Sequence, residues 1–187
     1  VCPFMRKGRI AQLSKVLSQA ILNGAIVNII TRPPEDFEEP ERETIKENTA
    51  KTGGAIYTEK GTITLGNGTV VQDNTATGNG GAVFAKHDAK LNIDGAELSD
   101  NTATSGGAVY VNGSTLRTSQ NPLFKGNIAT TNAGALYIGN FSETKNDVTT
   151  TSDADVVLDS AIFEENTAKR GGAIDATNST YTIKNTQ

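Results

Sequence analysis

The sequence predicts an all-β fold, a parallel β-helix of about five coils, preceded by a short N-terminal α/β segment. A repeat occurs five times between residues 45 and 175: an apolar residue, Asn three positions later, Ala two positions after that, and then a Gly-Gly-Ala or Asn-Ala-Gly-Ala step. Between the copies, segments such as GTITL and TYTIK alternate in polarity and favour β-branched residues, which indicates strands. A long period that contains strand-forming segments is typical of a solenoid.

The five copies differ little in length until the last interval. Their Asn residues are spaced by 26, 27, 26 and 39 positions. The long interval contains FSETKNDVTTTSD (141–153), which is polar and lacks the repeat pattern, so we predict that it is an insertion. The copies are IKENTAKTGGAIY (45–57), VQDNTATGNGGAVF (71–84), LSDNTATSGGAVY (98–110), FKGNIATTNAGALY (124–137) and FEENTAKRGGAID (163–175).

A period near 26 residues also fits a leucine-rich repeat, but Leu is absent from the fixed offsets which that repeat needs, so we reject this alternative. At about 3.3 Å per extended residue, one repeat traces a closed path of roughly 85 Å. This length accommodates three short strands and three corners. Stacking such coils about 4.8 Å apart pairs the backbone of each coil with its neighbours.

Two columns of residues have a structural explanation. Asn tolerates the left-handed conformation that a corner needs, and its amide can donate to and accept from the neighbouring coil. Sugar contacts are the alternative for this column. Glycine allows a tight turn beneath the neighbouring coil, where a side chain would collide. The predicted structural ladder is Asn48, Asn74, Asn101, Asn127 and Asn166, and the repeat glycines are Gly54, Gly81, Gly107, Gly134 and Gly172.

These repeats resemble those of the chlamydial polymorphic membrane proteins, which combine Phe-x-x-Asn with Gly-Gly-Ala and an aliphatic residue. FEENTAKRGGAI (163–174) is similar to a full copy, and the resemblance spans residues 45–187. It implies a right-handed, single-stranded parallel β-helix in an autotransporter-like passenger, at a bacterial cell surface or secreted, with an adhesive role and no active site. The chain departs from the family in lacking Cys in its repeats and in having Ile, Val or Leu at three of the five Phe positions.

Residues 1–44 have a different pattern, which predicts a helix–strand fragment and an acidic linker before the β-helix of residues 45–187. An apolar stripe predicts a helix over 9–22, and AIVNIITR (25–32) predicts a strand. Residues 1–47 resemble a fragment of phospholipase-D-like domains. Catalysis in those domains needs a His-x-Lys pair, which is missing here. We expect His87, the one histidine, to occupy a solvated coil position.

Composition excludes several classes of function. The net charge is −4, and residues 48–187 carry 10 basic and 14 acidic residues, so we expect no nucleic-acid binding by the repeats. One cysteine, Cys2, excludes internal disulfides and zinc clusters. The sequence shows no export signal and no apolar run long enough for direct membrane insertion. We predict no cofactor and no metal site.

The leading functional hypothesis is a non-catalytic surface or secreted protein whose loops bind a host-cell or matrix protein or glycan. Loops on one face of a solenoid commonly carry binding, so we select the insertion as the candidate contact loop, with Phe141, Asn146, Asp147 and Asp153. The oligomeric state stays open.

Three alternatives remain. A polysaccharide lyase or hydrolase would need stacked carboxylates, for which the residues beside Asn are candidates: Asp73, Asp100 and Glu165. A calcium site would use the aspartates around the insertion: Asp147, Asp153, Asp155 and Asp159. A fragment of a phospholipase-D-like nuclease or helicase protein fused to the repeats rests on residues 1–47 alone.

Overall fold

The computed structural model describes residues 26–29 and 42–187, and these form a parallel β-solenoid of about five turns. The predicted parallel solenoid and its number of turns are confirmed. The predicted helix over 9–22 and most of the acidic linker lie outside the described residues. The predicted strand over 25–32 is described only at Ile26–Ile29, where it is β1.

The strands follow one another in the same order along the coils, and the fifth coil lacks the second strand of the others. After β1 (Ile26–Ile29), the first full coil contains β2 (Glu43–Lys46), β3 (Thr49–Ala50), β4 (Ile56–Glu59) and β5 (Thr62–Leu65), and the second contains β6 (Thr69–Gln72), β7 (Thr75–Ala76), β8 (Val83–Lys86) and β9 (Lys90–Asp94). The third coil contains β10 (Glu97–Ser99), β11 (Thr102–Ser105), β12 (Val109–Asn112) and β13 (Thr115–Ser119). The fourth contains β14 (Leu123–Lys125), β15 (Ile128–Asn132), β16 (Leu136–Gly139), a hairpin of β17 (Phe141–Lys145) and β18 (Val148–Ser152), and β19 (Asp155–Asp159), and the fifth contains β20 (Ile162–Glu164), β21 (Ile174–Thr177) and β22 (Thr180–Lys184).

Equivalent strands of successive coils pair in parallel and build four sheets along the stack. Sheet 1 is β2-β6-β10-β14-β20, sheet 2 is β3-β7-β11-β15, sheet 3 is β4-β8-β12-β16-β21 and sheet 4 is β1-β5-β9-β13-β19-β22. The expectation of three strands per coil was therefore wrong. The corner at Asn separates sheet 1 from a short additional strand that contains the repeat's Thr-Ala pair, and this strand has only two residues in β3 and β7.

The core is a set of columns in which like side chains lie on one another. In sheet 1 the register aligns the apolar residues that begin each repeat, and the three central ones are fully buried: Val71, Leu98 and Phe124. Ile45 and Phe163 continue this column and are only partly buried, since they lie in the first and fifth coils. The rings of Phe124 and Phe163 stack at 4.8 Å between centroids. Burial of each aliphatic side chain contributes roughly 1.5–3 kcal/mol.

β1 extends sheet 4 by one strand before the first repeat. It pairs in parallel with β5, with Ile26 beside Thr62 and Ile29 beside Leu65. A strand of four residues cannot be stable alone, and this pairing supplies its neighbour.

Candidate contact surface

The Asn residue of each repeat lies in a continuous hydrogen-bonded column. The side-chain oxygen of each of the last four residues accepts from both the backbone N–H and the side-chain amide of the preceding Asn, at 2.9–3.1 Å. Each side-chain amide also donates to a backbone carbonyl, as from Asn101 to Val71 at 2.9 Å. The three central residues, Asn74, Asn101 and Asn127, are fully buried, so the column has no surface for a sugar at these positions.

The left-handed corner residue is the one before Asn, which corrects the conformation expected for Asn itself. Positive φ angles of 55–62° occur at Glu47, Asp73, Asp100, Gly126 and Glu165. The side chain at this position points away from the core, and the four that are not glycine are exposed. The corner therefore places Asn inward, where its amide reaches the next coil.

The glycine that precedes Ala in each step lies close to the backbone of the next coil. A Cβ atom at Gly107 would lie 2.0 Å from the carbonyl oxygen of Gly134, and Gly54, Gly81 and Gly134 meet the next coil at 2.1 Å in the same way. At Gly172, in the last coil, the nearest atom would be 3.3 Å away. A side chain at the inner positions would force the coils apart.

The insertion forms an antiparallel β-hairpin. In β17 and β18, Phe141 lies opposite Ser152 at the base, and Lys145 lies opposite Val148 at the turn. The strands are joined by Asn146 and Asp147, whose φ angles are 49° and 61°. Two successive residues with positive φ define the tight turn that suits the twist of a hairpin. An Asn-Asp pair followed by the β-branched segment Val-Thr-Thr-Thr was the sequence signal for this hairpin.

The hairpin enters and leaves the solenoid at a single corner between sheets 3 and 4. The register aligns Gly139 with Asn112 and Asp155 with Thr115, so the corner residues Gly113 and Ser114 correspond to Asn140 and Ala154. The side-chain oxygen of Asn140 accepts from the backbone N–H of Ala154 at 2.8 Å and closes the base. Residues 141–153 are therefore additional to an otherwise complete coil.

Phe141 attaches the hairpin to the coils before it, which corrects its assignment to the contact loop. The side chain is buried, and its ring stacks on the imidazole of His87 at 4.5 Å between centroids. The ammonium of Lys86 lies 4.9 Å from the same ring centroid. His87, expected to be solvated, has a side chain only 13% exposed, with Nδ1 3.5 Å from Glu59 Oε1.

Charged and polar groups surround this aromatic contact. The Tyr57 hydroxyl donates to Glu59 at 3.1 Å, and Lys86 lies 3.9 Å from the same carboxylate. Burial, followed by the negative charge of Glu59, raises the pKa of Tyr57 to about 12. On the hairpin, the hydrogen bond from Lys145 lowers the pKa of Glu143, and Lys86 and His87 lower it further. The first half of β17 thus lies beside the corner of the second coil.

The far part of the hairpin is exposed. Asn146 and Asp147 at the turn are exposed, Val148 beside them is 66% exposed, and Asp153, at the base of the hairpin, is exposed as well. At about 3.3 Å per residue, the turn lies roughly 17 Å along the strand from Phe141. The three polar candidates of the contact loop are accessible, whereas Phe141 is not.

An aromatic column on the outer face of sheet 3 was missed by the sequence reasoning. Tyr57, Phe84, Tyr110 and Tyr137 are aligned by the register, and neighbouring rings stack at 5.5, 5.2 and 4.4 Å between centroids. Burial, followed by the neighbouring Tyr137, raises the pKa of Tyr110 to about 12. The signal was present as the aromatic residue that ends four of the five repeats. Because each ring face covers the next, the column stabilises the stack.

The remaining candidate residues lie at exposed corners or in pairs. Asp73 and Asp100 occupy the same exposed corner of the second and third coils, and Glu165 occupies that corner in the fifth coil, separated from them by Gly126 in the fourth. Asp155 pairs with Arg117, and hydrogen bonds from Asn185 and then Ser160 lower the pKa of Asp159. Within residues 26–29 and 42–187, no group of three or more His, Cys, Asp or Glu side chains could hold a metal ion. In the same part of the chain, no helix has the length and apolar character needed to cross a membrane.

Stacked parallel coils with an internal amide column and one inserted hairpin define a β-solenoid protein. Three segments, residues 44–59, 68–86 and 160–177, match the Chlamydia polymorphic membrane protein (Chlamydia_PMP) repeat, so the resemblance to these repeats is confirmed. No curated protein and no solved structure matches the chain at a significant level. The matched segments lie within residues 44–177 and give no support to a phospholipase-D-like segment.

Proposed function

We propose that this chain is the right-handed β-helix of an autotransporter-like passenger, at a bacterial surface or secreted, and that it presents the hairpin for adhesion to a host-cell or matrix protein or glycan. The matched repeat supports a surface location, because the polymorphic membrane proteins are outer-membrane or surface proteins of autotransporter type. The same repeat family is generally non-catalytic, which supports a scaffold role.

The observation that carries this proposal is the hairpin on an otherwise regular rod. Its base is held by Phe141 and Asn140, while its turn at Asn146 and Asp147 is exposed. A rigid stack that carries one projecting loop separates stability from binding, because the loop can vary without disturbing the core. The exposed carboxylate of Asp147 and the amide of Asn146 favour a partner with basic or hydrogen-bonding groups.

The experiment immobilises the chain and measures binding to host cells, to extracellular matrix proteins and to a glycan array. Deletion of residues 141–153 joins Asn140 to Ala154, which restores the corner length seen at Gly113 and Ser114. This variant should keep its fold and lose binding. Absence of any ligand for the parent chain, or equal binding by the deletion variant, rejects the proposal.

A second variant tests the tip alone. Asn146→Gly with Asp147→Gly keeps residues that adopt positive φ and removes both side chains. Its matched control is Asp100→Gly, which removes an exposed carboxylate from a left-handed corner of the third coil, where the fourth coil has Gly126. Binding should fall in the tip variant and persist in the control.

A further inference from the structure

The outer edge of β18 is an unprotected strand edge. β18 has β17 as its one strand neighbour among the described residues, and its sequence is Val-Thr-Thr-Thr-Ser. Natural edge strands are commonly protected by charge, Pro or a bulge, because exposed backbone groups otherwise recruit another strand. β18 has none of these features, whereas the strands of the last coil each carry a charged residue: Glu164 in β20, Asp175 in β21 and Lys184 in β22.

The hairpin register determines which backbone groups face this edge. A two-residue turn makes Lys145 and Val148 a hydrogen-bonded pair, and such pairs alternate along an antiparallel ladder. Thr144 and Thr149 are then a non-hydrogen-bonded pair, in agreement with the 2.9 Å between their hydroxyl oxygens. Thr149 and Thr151 therefore direct their N–H and C=O groups away from β17. Both residues are exposed.

We propose that the β18 edge pairs antiparallel with the β18 edge of a second copy of this chain, forming a continuous four-stranded sheet across a two-fold axis. With the axis at Thr150, Thr149 of each chain exchanges two backbone hydrogen bonds with Thr151 of the other. Thr150 then faces its own copy in a non-hydrogen-bonded pair, where Thr–Thr contacts are favourable. This self-association is independent of any ligand at the hairpin tip.

Charge selects this edge over the other edge of the hairpin. β18 contains no charged residue, so a two-fold pairing opposes only Val, Thr and Ser side chains. A two-fold antiparallel pairing of two β17 edges would have its axis at Glu143 and would place two carboxylates opposite each other. The base of β17 is also occupied, because Phe141 is buried against His87. Only five residues of each chain pair, so association is weak and depends on concentration.

Sedimentation equilibrium of the full chain over a wide concentration range tests the proposal, with Thr150→Lys as the diagnostic variant. Lysine at this position faces Glu143 across the hairpin, which preserves the hairpin, but it faces a second lysine across the two-fold axis. We expect a reversible dimer whose association constant falls about fivefold or more in Thr150→Lys and stays unchanged in the control Ser142→Lys, at an exposed position of β17. A chain that is monomeric throughout, or a dimer insensitive to Thr150→Lys as in end-to-end stacking, overturns the proposal.

Cross-linking provides a second measurement, because oxidation traps dimers that are populated only briefly. In a Cys2→Ser background, Thr150→Cys places two thiols in directly opposed positions, where Cα atoms about 4.5 Å apart allow a disulfide. Thr144→Cys is the matched control. Faster formation of disulfide-linked dimers by Thr150→Cys supports the proposal, and equal rates for the two variants overturn it.

Discussion

The side-chain oxygen of Asn101 accepts hydrogen bonds from both the backbone N–H and the side-chain amide of Asn74, at 3.1 and 3.0 Å. Asn101 in turn donates its own amide to Val71 and to the side chain of Asn127. One side chain thus links three coils, because it bonds to groups in the coil before its own and in the coil after it. Since both residues are fully buried, water cannot replace these bonds.

Replacement of Asn101 tests this column. Asn101→Ala leaves the buried backbone N–H of Asn74 without its acceptor and removes one acceptor from the side-chain amide of Asn74, and an unsatisfied buried group costs roughly 1–3 kcal/mol. We expect a total loss of about 3 kcal/mol in the free energy of unfolding, measured by urea denaturation. The control is Asn92→Ala, since Asn92 makes only a long 3.4 Å bond to Thr64. Equal losses of unfolding free energy in the two variants would show that the Asn column contributes no more to stability than Asn92 does.

The glycine step gives a prediction that depends on position in the stack. In Gly107→Ala the new methyl group meets backbone atoms of the next coil at 2.0–2.8 Å, and overpacking of this kind costs about 3 kcal/mol. In Gly172→Ala the nearest contact is 3.3 Å, and we expect a loss below about 1 kcal/mol. Thermal unfolding of the two variants measures the difference. If Gly107→Ala were as stable as Gly172→Ala, the coils would not lie in this register.

Ala133 occupies a left-handed position that the other repeats give to glycine. Its φ is 55°, compared with 59–67° at Gly53, Gly80, Gly106 and Gly171. A left-handed conformation costs an L-residue roughly 1–2 kcal/mol. Ala133→Gly releases this strain, whereas Ala135→Gly removes an equally buried methyl group from a residue without positive φ.

We therefore expect Ala133→Gly to be about 1–2 kcal/mol more stable than Ala135→Gly in chemical denaturation. The two substitutions share the loss of a methyl group and the gain in chain entropy on unfolding, so these contributions cancel in the comparison. An Ala133→Gly variant no more stable than Ala135→Gly would indicate that the backbone at residue 133 is not strained.

Phe141 gives a prediction about the hairpin rather than the core. Phe141→Ala removes the ring that stacks on His87 and lies beneath Lys86, so the amides of β17 and β18 should exchange with deuterium at least about tenfold faster. The melting temperature should fall only slightly. Phe124→Ala is the contrast, because it deletes a fully buried core ring and should cost about 3–5 kcal/mol. Unchanged exchange in Phe141→Ala would refute the anchoring role.

The features that repeat along the chain were the ones that sequence could predict. The recurrence of an apolar residue, Asn and Gly-Gly-Ala indicated the parallel solenoid and its number of turns, because equivalent positions of a solenoid meet the same environment in every coil. The break in spacing between Asn127 and Asn166 also located the insertion. The extra strand of sheet 2 was missed because two residues such as Thr49 and Ala50 are too few to show alternation.

The features that depend on contacts across coils were harder to predict. The burial of Phe141 follows from its contact with His87, which lies more than 50 residues earlier in the chain. Nothing in a polar insertion that contains one Phe reveals this contact. The left-handed corner was assigned to Asn by general preference, whereas the coil places Glu, Asp or Gly there and reserves Asn for the interior.

The central claim is that successive coils lie in register, with Asn74, Asn101 and Asn127 in one file. A crystal structure of the chain at a resolution that places side-chain amides tests it most directly. The account predicts that these three residues lie one above another at a spacing of about 4.8 Å, with each amide oxygen accepting two hydrogen bonds from the preceding Asn. Asn side chains at different corners, or directed into solvent, would contradict it.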